Sequence, residues 1–171
     1  MQRIKTSYPR LIIVLFLFTI VGLQAQFTFT TGDFTLGISE NGRITELSNS
    51  ATQQNYLATD LAASLLTLVS ADTRYLPTSA TAGQNPNTVV FAFGDIGVTI
   101  DVQITPKDTH LVLELVKATS EDKIDAVVWG PFPTTIGKTI GEIIGVVRDD
   151  QVALGLQALN IETLGGRLSQ Q

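Results

Sequence analysis

The sequence predicts an all-β protein: an antiparallel β-sandwich with hairpin connections and at most one or two short helices. Three observations lead to this fold class. Apolar and polar residues alternate, β-branched and aromatic residues dominate the alternating runs, and turn residues separate one run from the next. Alternation at every second residue puts the apolar side chains on one face of a strand and leaves the other face to water. Many short strands joined in this way are typical of antiparallel sandwiches and barrels.

The clearest alternation lies in VTIDVQIT (98–105). Its apolar residues are Val98, Ile100, Val102 and Ile104, and the residues between them are polar. The segment THLVLELV (109–116) alternates in the same way through three leucines at 111, 113 and 115. Shorter runs follow the same rule: Phe27 and Phe29; Phe34, Leu36 and Ile38; Val89, Phe91 and Phe93. Each run predicts a half-buried strand.

Turn residues between these runs predict hairpins. Asn41-Gly42 supplies the positive φ angles that a tight hairpin turn needs. Gly94-Asp95, Pro106-Lys107-Asp108 and Asp149-Asp150 separate three further pairs of runs. The segment DLAASLLTL (60–68) is the one helix candidate, with an Asp cap at its start, but SLLTLVS within and after it also alternates like a strand.

The N-terminus has the layout of a secretory signal peptide. Arg3, Lys5 and Arg10 precede an uncharged apolar run, residues 11–22, and small Ala25 then offers a cleavage point. The apolar run is shorter than the roughly 20 residues a spanning helix needs, so we expect no stable membrane span after cleavage. The alternative is an uncleaved anchor, because Leu23 is an unfavourable residue near a cleavage point. We predict export to the periplasm, the cell surface or the medium.

Residues 26–171 form one domain of ordinary size in this interpretation, with no linker and no repeat. Removing three of the 11 basic residues with the signal peptide leaves eight against 16 acidic residues, a net charge of −8. Such a charge repels nucleic acid and anionic membrane surfaces, so neither is an expected partner. The chain has no cysteine, which excludes disulfides, a thiolate nucleophile and a zinc–thiolate site.

The stretch VVWGPFPTTIGKTIGEIIGVV (127–147) has glycines at 137, 141 and 145, a spacing that occurs in paired membrane helices. Charged residues and prolines within it argue against such a helix. We predict instead a strand DAVVW (125–129), ended by GPFP. A crossing segment TTIGKTIG follows, with one helical turn as an option. The next strand, GEIIGVV (141–147), pairs with VALGLQAL (152–159).

Trp129 and Phe132 are the candidate carbohydrate-binding residues. A tryptophan at a strand end beside proline can stack on a sugar ring, or it can fill the core at the edge of a sandwich. The usual burial of tryptophan in folded proteins favours the core position for Trp129. Phe132 lies in a predicted loop and is the better candidate for an exposed aromatic ring. Both interpretations stay open at this point.

Catalytic and metal-binding patterns are scarce. His110 is the only histidine, and no G-x-S-x-G motif, calcium loop or phosphate loop accompanies it. We therefore predict no catalytic residue, no metal and no cofactor. Asp149 and Asp150 match the carboxylate pair of glycoside hydrolysis only by residue type, since adjacent side chains on a strand diverge and Asp is a common turn residue.

Two segments resemble a known group of proteins. They are GDFTLGISENGRITELSNSATQQNYL (32–57) and WGPFPTTIGKTIGEIIGVVRDDQVALGLQALNIETLGG (129–166). Their pattern is similar to the N-terminal β-sandwich region, of the galactose-mutarotase-like supersandwich kind, in large exported Bacteroidota-type glycoside hydrolases. The resemblance covers most of residues 26–171 but includes no catalytic motif. In such proteins catalysis belongs to a later domain, so the chain is expected to be an accessory domain, with the truncated front end of a longer protein as one interpretation.

The resemblance implies a non-catalytic accessory domain that packs on a catalytic domain or contacts glycan. The alternative is a stand-alone carbohydrate-binding or surface adhesion module. A third hypothesis is a mutarotase-type sugar epimerase, whose acid and base would have to be His110 and Glu114. Whether the chain acts as an enzyme by itself is left open, with no catalytic activity as the expectation.

Overall fold

The computed structural model describes residues 26–141 and 145–163. Within these ranges the chain is all-β, with 13 strands and one 3₁₀ helix, Glu121–Lys123. The strands are β1 (Phe27–Thr30), β2 (Phe34–Ile38), β3 (Ile44–Asn49), β4 (Leu66–Ser70), β5 (Thr73–Tyr75), β6 (Ser79–Ala82), β7 (Thr88–Phe93), β8 (Val98–Pro106), β9 (Leu111–Ala118), β10 (Ala126–Trp129), β11 (Thr139–Ile140), β12 (Gly145–Arg148) and β13 (Ala153–Leu156). The predicted fold class is confirmed. The signal peptide and its cleavage after Ala25 lie outside the described residues.

The strands form four antiparallel sheets. Three of them have three strands each, in the orders β1-β2-β3, β10-β4-β5 and β11-β12-β13. The fourth has the order β6-β7-β8-β9, so β9 is an edge strand. Every pairing between these strands is antiparallel. In the described part of the chain, no helix is long and apolar enough to cross a bilayer.

One apolar core holds three of the sheets together, as in a β-sandwich. Fully buried side chains come from β2, β4, β7 and β8: Ile38, Leu66, Leu68, Phe91, Ile100, Val102 and Ile104 are each 0% exposed. Burying one such side chain contributes about 1.5–3 kcal/mol relative to leaving it in water. The inward faces of these strands therefore supply the main stabilisation of the fold.

Alternation in the sequence matches burial along β8. Val98, Ile100, Val102 and Ile104 are buried, and the residues between them are half-buried. The predicted Asn-Gly turn joins β2 to β3, and Gly42 there adopts φ +75°. The other three predicted turns likewise join antiparallel neighbours: β7 to β8, β8 to β9 and β12 to β13.

Backbone hydrogen bonds connect the sheets at their margins. Glu40, in the β2–β3 turn, accepts a bond of 2.7 Å from the N–H of Ala80 on β6. Gly32 donates a bond of 2.7 Å to the carbonyl of Asp108, in the turn between β8 and β9. Arg43, just before β3, and Ser64, just before β4, form an isolated antiparallel bridge between the first two sheets. These bonds join turns of one sheet to strands or turns of another.

The segment 60–68, open between helix and strand from sequence, contributes a strand. β4 begins at Leu66, and its first three residues are buried. In the stretch 127–147, the strand ending at Trp129 is confirmed, as is the pairing of β12 with β13. The crossing segment contains the short strand β11 instead of a helical turn. Residues 142–144 of the predicted strand 141–147 lie outside the described residues.

Candidate functional site

The WGPF corner (residues 129–132) follows the end of β10. Trp129 is the last residue of β10 and lies opposite Leu66 of β4. The next residue, Gly130, is buried, has φ +100° and donates a hydrogen bond of 2.9 Å to the carbonyl of Leu65. Its own carbonyl accepts a bond of 2.6 Å from the buried hydroxyl of Thr67. Two hydrogen bonds, to residues adjacent to Leu66, therefore fix the corner against the sandwich.

Trp129 and Phe132 are both half-buried, and both pack against the apolar core. The Phe132 ring lies so close to Gly130 that a Cβ atom there would be 3.0 Å from ring atom Cδ2. Glycine is needed at this position both for its positive φ and for this contact. Each aromatic side chain thus has one part in the core and another part in contact with solvent. Such an arrangement anchors a ring while leaving part of it available to a ligand.

Residues 131–135, at the end of the corner and just after it, form backbone hydrogen bonds with residues 56–64. The carbonyl of Pro131 accepts the N–H of Ser64 at 3.1 Å, and that of Pro133 accepts the N–H of Ala58 at 3.1 Å. Thr135 donates to the carbonyl of Tyr56 at 2.8 Å. Because successive groups are paired in this way, the aromatic residues sit on an ordered backbone.

Asp149 and Asp150 both have structural partners in the β12–β13 turn. Asp149 Oδ1 accepts two backbone N–H bonds of 2.8 Å, from Gln151 and Val152. These two bonds hold the pKa of Asp149 below its usual value, because they stabilise the charged form. Asp150 forms a two-pronged ion pair with Lys138, with a distance of 2.6 Å from Nζ to Oδ2. Asp149 and Asp150 are therefore turn residues, which is the interpretation that the sequence favoured.

His110 lies in the turn just before β9 and is exposed, with Nδ1 3.4 Å from the hydroxyl of Thr109. Glu114 is exposed on β9 opposite Gln103 of β8. Within residues 26–141 and 145–163, no hydrogen bond or ion pair joins the two side chains. The same ranges contain no group of three or more potential metal-ligating side chains.

The structure also contains a groove that sequence reasoning missed. This amide groove has a volume of about 490 Å³ and lies between the start of β1 and the loop joining β6 to β7. Its polar lining includes the side-chain amides Gln26, Gln84, Asn85 and Asn87. In the sequence, QNPN (84–87) has the composition of an ordinary turn. Only its proximity to residues 26–29, more than 50 positions earlier, makes it part of a concave surface.

Known proteins offer no guide to the use of these surfaces. We compared the chain with protein-family models, curated proteins and solved structures, and none of the three comparisons gave a match.

Proposed function

We propose that the chain is a non-catalytic accessory β-sandwich domain of an exported carbohydrate-active protein, and that it packs on a further folded domain. The observation that carries this proposal is the exposure of large apolar side chains on β9 and on the C-terminal part of the described chain. Exposed apolar surface that is not scattered singly is typical of interaction sites. The resemblance to N-terminal regions of glycoside hydrolases supports a catalytic domain as this partner.

The apolar face of β9 is covered much less than that of its neighbour. Val102 and Ile104 on β8 are 0% exposed, whereas Leu115, directly opposite Val102, is 39% exposed. Leu111 and Leu113 pack only partly against the core. The opposing layer of the sandwich therefore stops short of β9. A partner that covers these leucines would remove apolar surface from water and gain free energy in proportion to the area buried.

The exposed edge of β9 is poorly suited to pairing with another strand. A register shift lies between Asp101 and Val102 of β8, and it leaves Val116 of β9 without an opposite residue. Val116 is 48% exposed. Bulges of this type, together with charges such as Lys117, discourage edge-to-edge sheet extension. The partner in our proposal accordingly contacts side chains and does not add a strand.

The second set of exposed apolar residues follows β10. It comprises Ile140 at 58%, Leu156 at 43%, Leu159 at 69% and Ile161 at 97% exposure. The sheet β11-β12-β13, which includes Ile140 and Leu156, contributes Leu154 to the margin of the main core. These side chains add to the apolar surface that a neighbouring domain would cover.

The first test measures exposed apolar surface directly. The exported form of the chain should bind the uncharged dye Nile red and self-associate in sedimentation velocity. The triple variant Leu115→Ser, Ile140→Ser, Leu159→Ser should bind less dye and self-associate less, because three exposed apolar side chains are removed. Stability should change by no more than about 1 kcal/mol per site, since all three side chains already contact water.

Leu61→Ser is the matched control, because Leu61 is 64% exposed but lies outside β9 and outside the C-terminal sheet. It should leave dye binding and association close to those of the unmodified protein. A wild-type chain that stays monomeric at high concentration and binds no dye would contradict the proposal.

Glycan contact through the WGPF corner is a second candidate function, favoured by the half-buried state of Trp129 and Phe132. Trp129→Ala and Phe132→Ala should each weaken retention in affinity electrophoresis through neutral polysaccharide gels, since a stacking ring is lost. Val127→Ala is the control: Val127 is on the same strand and also packs on the core, so its loss should affect stability and leave retention intact. Unchanged retention in both aromatic variants would eliminate this function.

A further inference from the structure

The amide groove has the chemistry of a binding site for an uncharged, hydroxyl-rich ligand. None of its 12 lining residues is charged, although the whole chain has a net charge of −5. Four of them are carboxamides: Gln26, Gln84, Asn85 and Asn87. A carboxamide carries two N–H donors and a carbonyl acceptor, which suits the paired donor and acceptor character of neighbouring hydroxyl groups.

Among residues 26–141 and 145–163, no hydrogen-bond partner is found for these four side chains. Gln26, Gln84, Asn85 and Asn87 are exposed, and none of their side chains bonds to another of the described residues. The half-buried ring of Phe27 lines the same groove and offers an apolar surface beside the amides. An aromatic surface next to amides fits the two faces of a sugar ring, one rich in C–H groups and one in hydroxyls.

The loop that carries three of the amides is held in place before any ligand binds. Gln103 of β8 donates from Nε2 to the carbonyl of Pro86 at 3.0 Å, and its Oε1 accepts the hydroxyl of Thr88 at 2.6 Å. The carbonyl of Asn87 accepts the N–H of Ile104 at 2.9 Å. An ordered loop loses little conformational freedom on binding, which favours affinity.

We propose that the amide groove binds a neutral oligosaccharide. Its volume of about 490 Å³ is within the range of about 300–1,000 Å³ typical of small-ligand sites. Four of its 12 lining residues carry side-chain amides and none is charged, so its polar groups match the hydroxyl groups of a neutral sugar. Because the groove shares no residue with the WGPF corner or with β9, the inference is independent of the function proposed above.

The test is a nuclear magnetic resonance titration of the ¹⁵N-labelled exported form. The probes are cellohexaose, laminarihexaose and mannohexaose, each added alone. At least one should cause saturable shifts in the side-chain amide signals of Gln84, Asn85 and Asn87. We expect a dissociation constant of about 1 mM or tighter, since the groove is open to solvent. The acidic oligomer of galacturonate and a neutral alanine-rich peptide should cause no such shifts.

The double variant Gln84→Ala, Asn85→Ala should raise the dissociation constant of the responding sugar about tenfold, because two side-chain hydrogen bonds are removed. Gln54→Ala is the matched control: Gln54 is an exposed amide outside the groove, and binding should be unchanged. Preserved amide spectra in both variants show that the fold survives. The proposal is overturned if no hexaose gives saturable shifts, if the shifts lie outside the groove, or if the peptide binds there instead.

Discussion

Phe91→Ala should lower the free energy of unfolding by about 3–5 kcal/mol, the usual cost of removing a buried phenylalanine ring. Phe91 lies on β7, an inner strand of the four-stranded sheet, and is 0% exposed. Its neighbour across the strands, Ile100 of β8, is also 0% exposed. Neighbours that are packed on all sides cannot move far enough to fill the cavity, so the loss includes both transfer and cavity contributions. Chemical denaturation followed by tryptophan fluorescence measures the change.

Leu115→Ala is the control for this prediction. Leu115 belongs to the same sheet, but at 39% exposure it already contacts water. Its truncation should cost less than about 1 kcal/mol, since most surface substitutions have small effects. Equal losses in the two variants would mean that the sandwich core is not centred on β7 and β8.

Gly42→Ala should destabilise the protein by about 2–5 kcal/mol. A non-glycine residue at φ +75° costs about 1–2 kcal/mol. The new Cβ would also lie 2.7 Å from Cβ of Pro77 and 3.3 Å from Cδ1 of Phe91. Both neighbours are fully buried, so the extra methyl overpacks the core at a further cost of about 1–3 kcal/mol. Thermal and chemical unfolding of the variant give the measured difference.

Gly137→Ala separates this local effect from the general consequence of replacing glycine. A Cβ atom at Gly137 would meet no atom within 4 Å, and its φ is outside the strained positive range. The substitution should leave stability unchanged or raise it by about 0.4–1 kcal/mol, because the unfolded chain loses freedom. The Gly42 prediction is wrong if Gly42→Ala has the same sign and size of effect.

The alternating runs, of which β8 is the clearest, and the turn residues between them, such as Asn41-Gly42, predicted the fold class. Both signals are local: the period of two follows from backbone geometry, and Asn41-Gly42 satisfies the φ requirement of the turn within a few residues. The same locality explains why Asp149 could be recognised as a turn residue. Its carboxylate accepts hydrogen bonds from the N–H groups of Gln151 and Val152, two and three positions later.

The local sequence pattern did not decide whether residues 60–68 form a helix or a strand. A short apolar run fits a buried strand or a buried helix equally well. The strand β4 is selected by its neighbours, β5 on one side and β10 on the other, and β10 lies more than 50 residues later. Pairing with a distant strand is a tertiary event that no window of sequence contains.

The candidate sites also differ in how much of each could be predicted from the sequence. The sequence identified Trp129 and Phe132 as residues of interest, but their half-buried state depends on what the folded sandwich places against them. The amide groove was not predicted, because it joins residues 26–29 to residues 82–89. Neither segment has a distinctive pattern alone.

By itself, then, the sequence determined the all-β class, the alternating faces of the strands and the turns that connect them, since each depends on backbone geometry over a few residues. Only the tertiary structure decided which apolar faces are covered. Leu115 and Val102 have the same place in the alternation of their strands, yet one contacts solvent and the other does not. Periodicity specifies which side chains share a face, whereas burial depends on whether another layer of the protein lies over that face.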